Sequence, residues 1–262
     1  MGKIVINADD FGYSKAINLG IINTHTNGIL TSTTLMANMY GFEHGIKLMM
    51  ENPELGIGAH LTLTCGKPVL KNVNSLTDEN GNFKSLKAYK ENPDTADLGQ
   101  IYDEWNAQIK KLLSAGVRLT HLDSHHYVHS FERYSEISEM LSKKYDLPLR
   151  NCFGLEKRIT NKNILKTEAF WNLFNFPEMK KMNFSYEHVK YNLHRIIREN
   201  AEIYQKYSGV EGSCHPGYMD SQVYFGSSFN IARMREIEVL CDPDTDNIFR
   251  EYGFKYCKYS DL

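Results

Sequence analysis

The feature that most constrains the fold of this 262-residue chain is an alternation of short apolar runs with helical patterns. "KIVINADD" near the start is rich in β-branched residues and predicts a buried strand. "SKAINLGIINTHTNG" follows it and predicts a helix that Ser14 caps and Gly28 ends. Strand and helix alternate in this way about seven times. This order favours a mostly parallel sheet with helical crossovers.

The length of the chain favours one α/β domain over residues 1–262. A closed or nearly closed (β/α) barrel with about seven parallel strands is the first expectation, and an open doubly wound sheet is the second. Two stretches, 65–95 and 154–185, are weakly periodic or irregular and are expected to be loop insertions. Such loops often form the walls of binding sites.

Composition argues against several classes of protein. The formal net charge is −2, which gives no electrostatic case for a nucleic-acid or membrane-surface partner. No apolar run approaches membrane-spanning length, so we expect no membrane partner. The five cysteines are far apart and include no CxxC pair, which argues against a disulfide framework. We therefore expect a location in the reducing cytoplasm.

Titratable side chains lie at or just after the ends of four predicted strands. They are Asp9, Asp10, His60, Asp123, His125, His126 and His215. Each has a structural alternative, because an aspartate pair can cap a helix and a lone histidine is usually a satisfied polar group. A parallel barrel, however, brings the carboxyl ends of its strands around one axis. We therefore expect these side chains to converge.

Such a set has the parts of a metal-dependent hydrolase. One carboxylate and two neutral imidazoles can bind a divalent cation and leave positions for water and substrate. A second carboxylate could take a proton from that water, and a separate imidazole could give one to the leaving group. A structural zinc site would instead need a closed set of four ligands.

The segment "THLDSHHYVH" (120–129) holds four of the ten histidines. If strand geometry persisted along it, His121, Asp123 and His125 would share one face and His126 would point away. Asp123 could then orient a ligand imidazole. A loop after Asp123 would break this alternation.

Five motifs occur in the order seen in the YdjC-like carbohydrate deacetylases, which include chitooligosaccharide deacetylases of the ChbG type. They are "NADDFGYS", "TSTTLMAN", "GIGAHLTLTCGKP", "THLDSHHYVH" and "SCHPGYMD". The resemblance runs from Ile4 to about Tyr252. It implies a variant (β/α) TIM-like barrel that removes N-acetyl groups from small chitin-derived sugars, such as diacetylchitobiose, and releases acetate. Family members often read "DSHHHVH", and here Tyr127 replaces the third histidine of that run.

The resemblance also implies roles for five of these residues. Asp10, His60 and His125 stand where the family binds a divalent metal. Asp9 resembles the general base, and His215 the general acid. Family members are described with magnesium, whereas mixed imidazole and carboxylate ligation also suits zinc, so both metals are expectations. The resemblance further implies a homodimer.

Other residues carry looser expectations. Asp123 and His126 are expected to orient a metal-binding side chain or to contact the substrate. Arg150 could orient Asp9, bind a sugar oxygen or form a structural ion pair. Sugar rings stack on flat apolar faces, so aromatic residues in loops are candidates, with a core role as the alternative. These are Trp171, Phe174, Tyr218 and Tyr224.

Two other functions stay open at this point. The first is a metallohydrolase of the same barrel type that acts on a phosphoester or a cyclic amide. A phosphate substrate would favour more lysine or arginine near the metal than the motifs contain. The second is a sugar-binding protein without activity, which should lack the base or the acid.

Overall fold

The computed structural model of the chain describes residues 2–152, 164–176, 179 and 185–262. The strands in these ranges are β1 (Lys3–Phe11), β2 (Ser32–Leu35), β3 (Gly56–Leu61), β4 (Leu119–Ser124), β5 (Ala169–Asn172), β6 (Gly209–Cys214) and β7 (Lys255–Tyr256). The α-helices there are α1 (Lys15–Asn27), α2 (Phe42–Glu51), α3 (Leu86–Glu91), α4 (Leu98–Ser114), α5 (Ser135–Tyr145), α6 (Tyr186–Tyr204), α7 (Ser221–Gly226), α8 (Ala232–Leu240) and α9 (Pro243–Glu251).

The strands form one parallel sheet in the order β4-β3-β2-β1-β6-β5, and β7 pairs with the first residues of β1. At the β4 edge, Leu122 N donates to Pro148 O and Arg150 N donates to Leu122 O, which adds the segment 148–150 to the sheet. Leu149 N of this segment in turn donates a hydrogen bond to Ile164 O, which lies shortly before β5 in the chain. The fold is an α/β TIM-like barrel, which confirms the first expectation.

Most predicted helices form where the sequence places them. The Ser14 hydroxyl accepts a hydrogen bond from Ile17 N and caps α1. Asp97 caps α4 in the same way, and the apolar stripe of that helix faces the core. The buried apolar residues of the stripe are Ile101, Trp105, Ile109 and Leu112. Within the described residues, no helix has the length and apolar character to cross a membrane.

The two predicted insertions contain regular structure. In 65–95, α3 forms, and Glu104 of α4 accepts hydrogen bonds from Val69 N and Leu70 N at 2.9 Å each. In 154–185, residues 154–163, 177–178 and 180–184 lie outside the described residues, and the remainder contains β5. The short run "AFWN" was not predicted as a strand because four residues give too little alternation to recognise. Conversely, the predicted strand "LPLRN" is present only as a single bridge between Leu149 and Leu122.

Candidate active site

The end of β1 is irregular, and this irregularity places two aspartates at the site. The pairing of β1 with β2 shifts register between Ala8 and Phe11, and Asp10 has a φ of 71°. Non-glycine residues seldom adopt this left-handed region, and such irregularities re-aim side chains. Asp9 and Asp10 are consequently both buried, and each lies next to a predicted site histidine.

The three predicted metal ligands converge. Asp10 Oδ1 lies 2.9 Å from His125 Nδ1 and 3.3 Å from His60 Nε2. One donor atom from each residue lies within 4.8 Å of the other two. The residues come from the carboxyl ends of β1, β3 and β4, so residues separated by over a hundred positions meet at one edge of the sheet.

The hydrogen bonds of His60 prepare it as a ligand. Its Nδ1 lies 2.7 Å from Asp123 Oδ1, and Thr34 Oγ1 donates to Asp123 Oδ2 at 3.0 Å. His60 Nδ1–H is therefore the donor to a carboxylate that is itself fixed, and this arrangement is common behind metal-binding imidazoles. The opposite nitrogen, Nε2, is buried without a hydrogen-bond partner and lies toward Asp10.

The electrostatics of this cluster favour added positive charge. Burial would lower the pKa of His60, but Asp123 and Asp10 outweigh it and raise the pKa to about 10. Burial would raise the pKa of Asp10, but His125 and Arg233 hold it well below its usual range. An ionised carboxylate beside an unpartnered imidazole nitrogen fits a divalent cation.

After β4 the chain turns sharply. The strand ends at Ser124, and the 3₁₀ turn His125–Ser130 contains two successive residues with positive φ, His126 at 57° and Tyr127 at 56°. The alternation expected beyond Asp123 is therefore broken, and the ring of His126 lies 4.0 Å from that of His125. Burial and the neighbouring His125 lower the pKa of His126 to about 3.

Arg150 is fully buried against the predicted base. Its Nη1 donates to Asp9 Oδ2 at 2.8 Å, and its Nη2 donates to Asp9 Oδ1 at 2.6 Å. The same Nη2 lies 2.8 Å from Asp123 Oδ2 and 2.6 Å from Glu211 Oε1. Of the three roles left open for Arg150, this geometry favours orientation of Asp9 within a buried ion network.

His215 follows β6 and lies close to Asp9. Its Nε2 lies 3.7 Å from Asp9 Oδ2, and 27% of its side chain is exposed, against 4% for Asp9. Burial lowers the pKa of His215, and Asp9 and Asp10 oppose that effect. Asp9 and His215 therefore form a carboxylate–imidazole pair, of which the imidazole is the more accessible member.

Among the described residues, two further groups bring three potential ligands together. They are Asp9, His60 and Asp123, and His121, Asp123 and Glu211. Each contains at least two carboxylates that already contact the guanidinium of Arg150. A metal ion there would be repelled by this shared positive charge. Asp10 contacts an arginine too, but Arg233 binds its Oδ2 and leaves Oδ1 facing His60 and His125, so the Asp10 group is the better cation site.

The four aromatic residues that were predicted as sugar contacts differ in their exposure. The hydroxyl of Tyr218 accepts a hydrogen bond from Asn23 on α1. Trp171 and Phe174 are buried, 4% and 6% exposed, in the core. Tyr224 on α7 and Tyr218 are 57% and 40% exposed, so these two of the four remain accessible to a ligand.

Two site residues were missed by the sequence analysis. Arg233 Nη2 donates to Asp10 Oδ2 at 2.6 Å, and Glu236 accepts a hydrogen bond from the backbone N–H of His215. Both lie on α8 and share its buried face with Ile237 and Leu240. Charged residues at the spacing of an apolar helical stripe were the available signal, since charges are seldom buried without a partner.

The family described as "YdjC-like protein" matches residues 3–251 of the chain. The chain belongs to this YdjC-like family. A carbohydrate deacetylase from Brevibacillus brevis is 37% identical over 262 residues, with 99% of each chain covered. A carbohydrate deacetylase from Clostridium beijerinckii is also 37% identical, covering 99% of this chain and 100% of the relative. These matches confirm the resemblance of the five motifs.

A solved structure from Enterococcus faecalis is described as a "putative cellobiose-phosphate cleavage protein". It superposes with a TM-score of 0.86 at 30% sequence identity and covers 100% of this chain and 98% of its own. A lactam utilization protein from Thermus thermophilus has a TM-score of 0.53 at 14% identity, so that likeness concerns the fold alone. This chain and the Enterococcus faecalis protein therefore share the same fold over nearly their full length.

Proposed function

We propose that this YdjC-like protein is a metal-dependent carbohydrate deacetylase. It removes an N-acetyl group from a small chitin-derived sugar, such as diacetylchitobiose, and releases acetate and a free amine. The names of the Brevibacillus and Clostridium relatives support the reaction class. The geometry of the site supports hydrolysis by activated water.

One observation carries the proposal. The donor atoms of Asp10, His60 and His125 meet within 4.8 Å, and His60 Nε2 is buried there without a hydrogen-bond partner. A carboxylate and an imidazole, Asp9 and His215, lie 3.7 Å apart beside this group. A purely structural cluster would not need a spare base and a spare acid.

The expected cofactor is a divalent cation held by Asp10, His60 and His125. When bound, it would polarise the acetyl carbonyl and acidify a water molecule. Two imidazoles in the ligand set favour zinc or another transition metal, whereas magnesium prefers oxygen ligands. Zinc and magnesium are therefore both candidates, and both are tested.

Asp9 acts as the general base in this proposal. It accepts the proton of the attacking water while Arg150 holds its carboxylate through two hydrogen bonds. Asn7 Nδ2 donates to Asp9 Oδ1 at 3.1 Å as well. Oδ1 accepts from both Arg150 Nη2 and Asn7, whereas Oδ2 accepts from Arg150 Nη1 and lies nearest to His215, so we assign proton acceptance to Oδ2.

His215 acts as the general acid and protonates the departing nitrogen. An imidazolium whose pKa is lowered by burial is a stronger acid, so it passes its proton on readily. Its partial exposure also allows the proton to be replaced from solvent. Asp123 orients His60, as its 2.7 Å contact indicates.

Three further features belong to the proposal. His126 and the exposed ring of Tyr224 are assigned to sugar contacts, since both lie after strands that carry the site. The protein is proposed to act in the cytoplasm, in keeping with its five free thiols. It is also proposed to be a homodimer, as the family resemblance implies.

The test is an acetate assay on purified protein loaded in turn with Zn²⁺, Mg²⁺ or Mn²⁺. The substrates are N-acetylglucosamine, its dimer and its trimer, together with a phosphorylated dimer, which the description of the Enterococcus faecalis protein suggests. We expect metal-dependent acetate release from at least one of them. Phosphate release without acetate would support a phosphoesterase, and metal-dependent heat stabilisation without any turnover would support a sugar-binding protein.

A further inference from the structure

We propose that Arg233 and Glu236 of α8 are positioning residues for this site, with separate tasks. Arg233 fixes the carboxylate of Asp10 for cation binding, and Glu236 fixes the backbone of His215 for proton transfer. The inference rests on the proposed function, because it assigns roles within the same site.

The surroundings of Arg233 point to a role toward Asp10. Its Nη2 donates to Asp10 Oδ2 at 2.6 Å, which leaves Oδ1 facing His60 and His125. Its Nε donates to Phe229 O at 2.7 Å, so the plane of the guanidinium is anchored at a second point. The side chain is only 3% exposed. Oδ2 of Asp10 therefore binds Arg233, and Oδ1 is left to bind the cation.

Glu236 contacts the backbone of His215, the proposed general acid. It accepts a hydrogen bond from His215 N through Oε2, and it is fully buried. Its second oxygen, Oε1, has no hydrogen-bond partner. Burying a carboxyl for a single backbone hydrogen bond is costly, which points to a task beyond stability.

Together the two side chains bind both backbone polar groups of His215, its N–H and its C=O. Arg233 Nη1 lies 3.4 Å from His215 O, and Glu236 receives His215 N–H. The backbone of Arg233 also accepts a hydrogen bond from Gly217 N at 3.3 Å. One turn of α8 therefore sets the position of the His215 loop relative to Asp10. Partners of this kind are worth about tenfold to a hundredfold in metal affinity or activity.

The first experiment measures metal affinity in the full-length protein. Mn²⁺ is the probe, because the free thiols of the chain bind zinc, and the loss of the free-ion paramagnetic resonance signal gives the bound fraction. The variants are Arg233→Met and Arg233→Lys, and Arg235→Met is the matched control on an exposed part of α8. We expect affinity to fall about tenfold or more in Arg233→Met, less in Arg233→Lys, and not in the control.

The second experiment separates Glu236 from Arg233. Glu236→Ala should lower kcat about tenfold or more while KM and Mn²⁺ affinity stay near the wild-type values. Glu236→Gln should restore kcat, because its amide oxygen can still accept from His215 N. Burial raises the pKa of Glu236 to about 8, so a neutral amide is a close mimic of the protonated acid. Glu238→Ala, at an exposed position of the same helix, is the control.

Circular dichroism and melting curves show whether each variant folds. If Arg233→Met or Glu236→Ala does not fold, the conservative variants Arg233→Lys and Glu236→Gln still test the two roles. Unchanged Mn²⁺ affinity in folded Arg233 variants would overturn the role of Arg233. A Glu236→Gln variant as impaired as Glu236→Ala, or one that loses metal as well, would overturn the role of Glu236. Failure of the proposed function would appear differently, as absent metal binding or acetate release in the wild-type protein.

Discussion

Arg150 holds the carboxylate of Asp9 with two hydrogen bonds, at 2.6 and 2.8 Å, and it does so from a fully buried position. The same guanidinium contacts Asp123, which orients His60, and Glu211, which accepts a hydrogen bond from the hydroxyl of Tyr259. The proposed base and the support of a proposed ligand therefore share one cation. Removing a single partner from such a buried network leaves charge uncompensated.

This arrangement makes Asp9→Asn an informative variant. Asparagine keeps the shape of the side chain but cannot accept a proton, so we expect acetate release to fall by about 10²–10⁴-fold. Mn²⁺ affinity should stay near normal, because Asp10, His60 and His125 are unchanged. The measurement pairs the acetate assay with metal titration, and Asp94→Asn, at an exposed aspartate, is the control. Unaltered turnover would refute the role of Asp9.

A second prediction concerns the proposed ligands. His60→Gln and His125→Gln should each weaken Mn²⁺ binding and abolish acetate release, because two remaining ligands seldom hold a divalent ion. His188→Gln, at an exposed histidine of α6, controls for the loss of an imidazole elsewhere. A variant at His60 or His125 that retains full metal occupancy would remove that residue from the ligand set.

Much of the fold follows from local pattern. The strand β1 that carries Asp9 and Asp10, the cap at Ser14 and the apolar stripe of α4 are encoded in short windows of sequence. The strand β5 is different, since its four residues form a strand only because they pair with β6. Tertiary pairing of this kind has no local signal.

The candidate site likewise combines features that the sequence predicts with contacts that it does not. Parallel topology predicts that the strand-end carboxylates and imidazoles converge, and the family resemblance implies Asp10, His60 and His125 as the ligands among them. The contact between Arg233 and Asp10 spans 223 positions and comes from a helix face, which strand-end reasoning does not consider. Tyr218 follows the "CHPG" motif, and its hydroxyl accepts a hydrogen bond from Asn23 of α1, so its role as a substrate contact stays a prediction.

Removal of the metal should lower stability as well as activity. A ligand that binds only the folded protein stabilises it by about 2.7 kcal/mol at a hundred times its Kd. We therefore expect Tm to fall when a chelator is added and to recover when Mn²⁺ or Zn²⁺ is restored. Asp10→Asn should show no such response, because its side chain carries no negative charge. Equal metal-dependent shifts of Tm in both proteins would place the cation elsewhere.

The exposed aromatic residues of α7 should affect substrate binding. The rings of Tyr224 and Phe225 lie 4.9 Å apart, edge to face, and are 57% and 85% exposed. If sugar rings stack there, Tyr224→Ala and Phe225→Ala should raise KM severalfold for the trimer with little change in kcat. Tyr191→Ala, at an exposed tyrosine of α6, serves as the control. Unchanged KM in both α7 variants would exclude this surface as a sugar contact.

The last prediction concerns stability at low pH. His121 is fully buried, stacks on Tyr259 at 3.8 Å, and has its Nε2 without a hydrogen-bond partner. Burial and Arg150 lower the pKa of His121 to about 3, although Asp123 opposes them. In the unfolded chain a histidine has a pKa of about 6.5. The unfolded state therefore binds a proton that the folded state does not bind. As a result, the free energy of unfolding decreases as the pH falls below about 6.5.

His121→Gln removes this titration, so its stability should depend less on pH than that of the wild type. Between about pH 6.5 and 4.5, the wild type should lose roughly 2 kcal/mol more of its free energy of unfolding than the variant. Urea titrations at several pH values give this difference, and taking the difference cancels the contribution of the other titrating groups. His188→Gln, at an exposed position, should follow the wild-type curve. Parallel curves for wild type and His121→Gln would show that His121 accepts a proton inside the folded barrel.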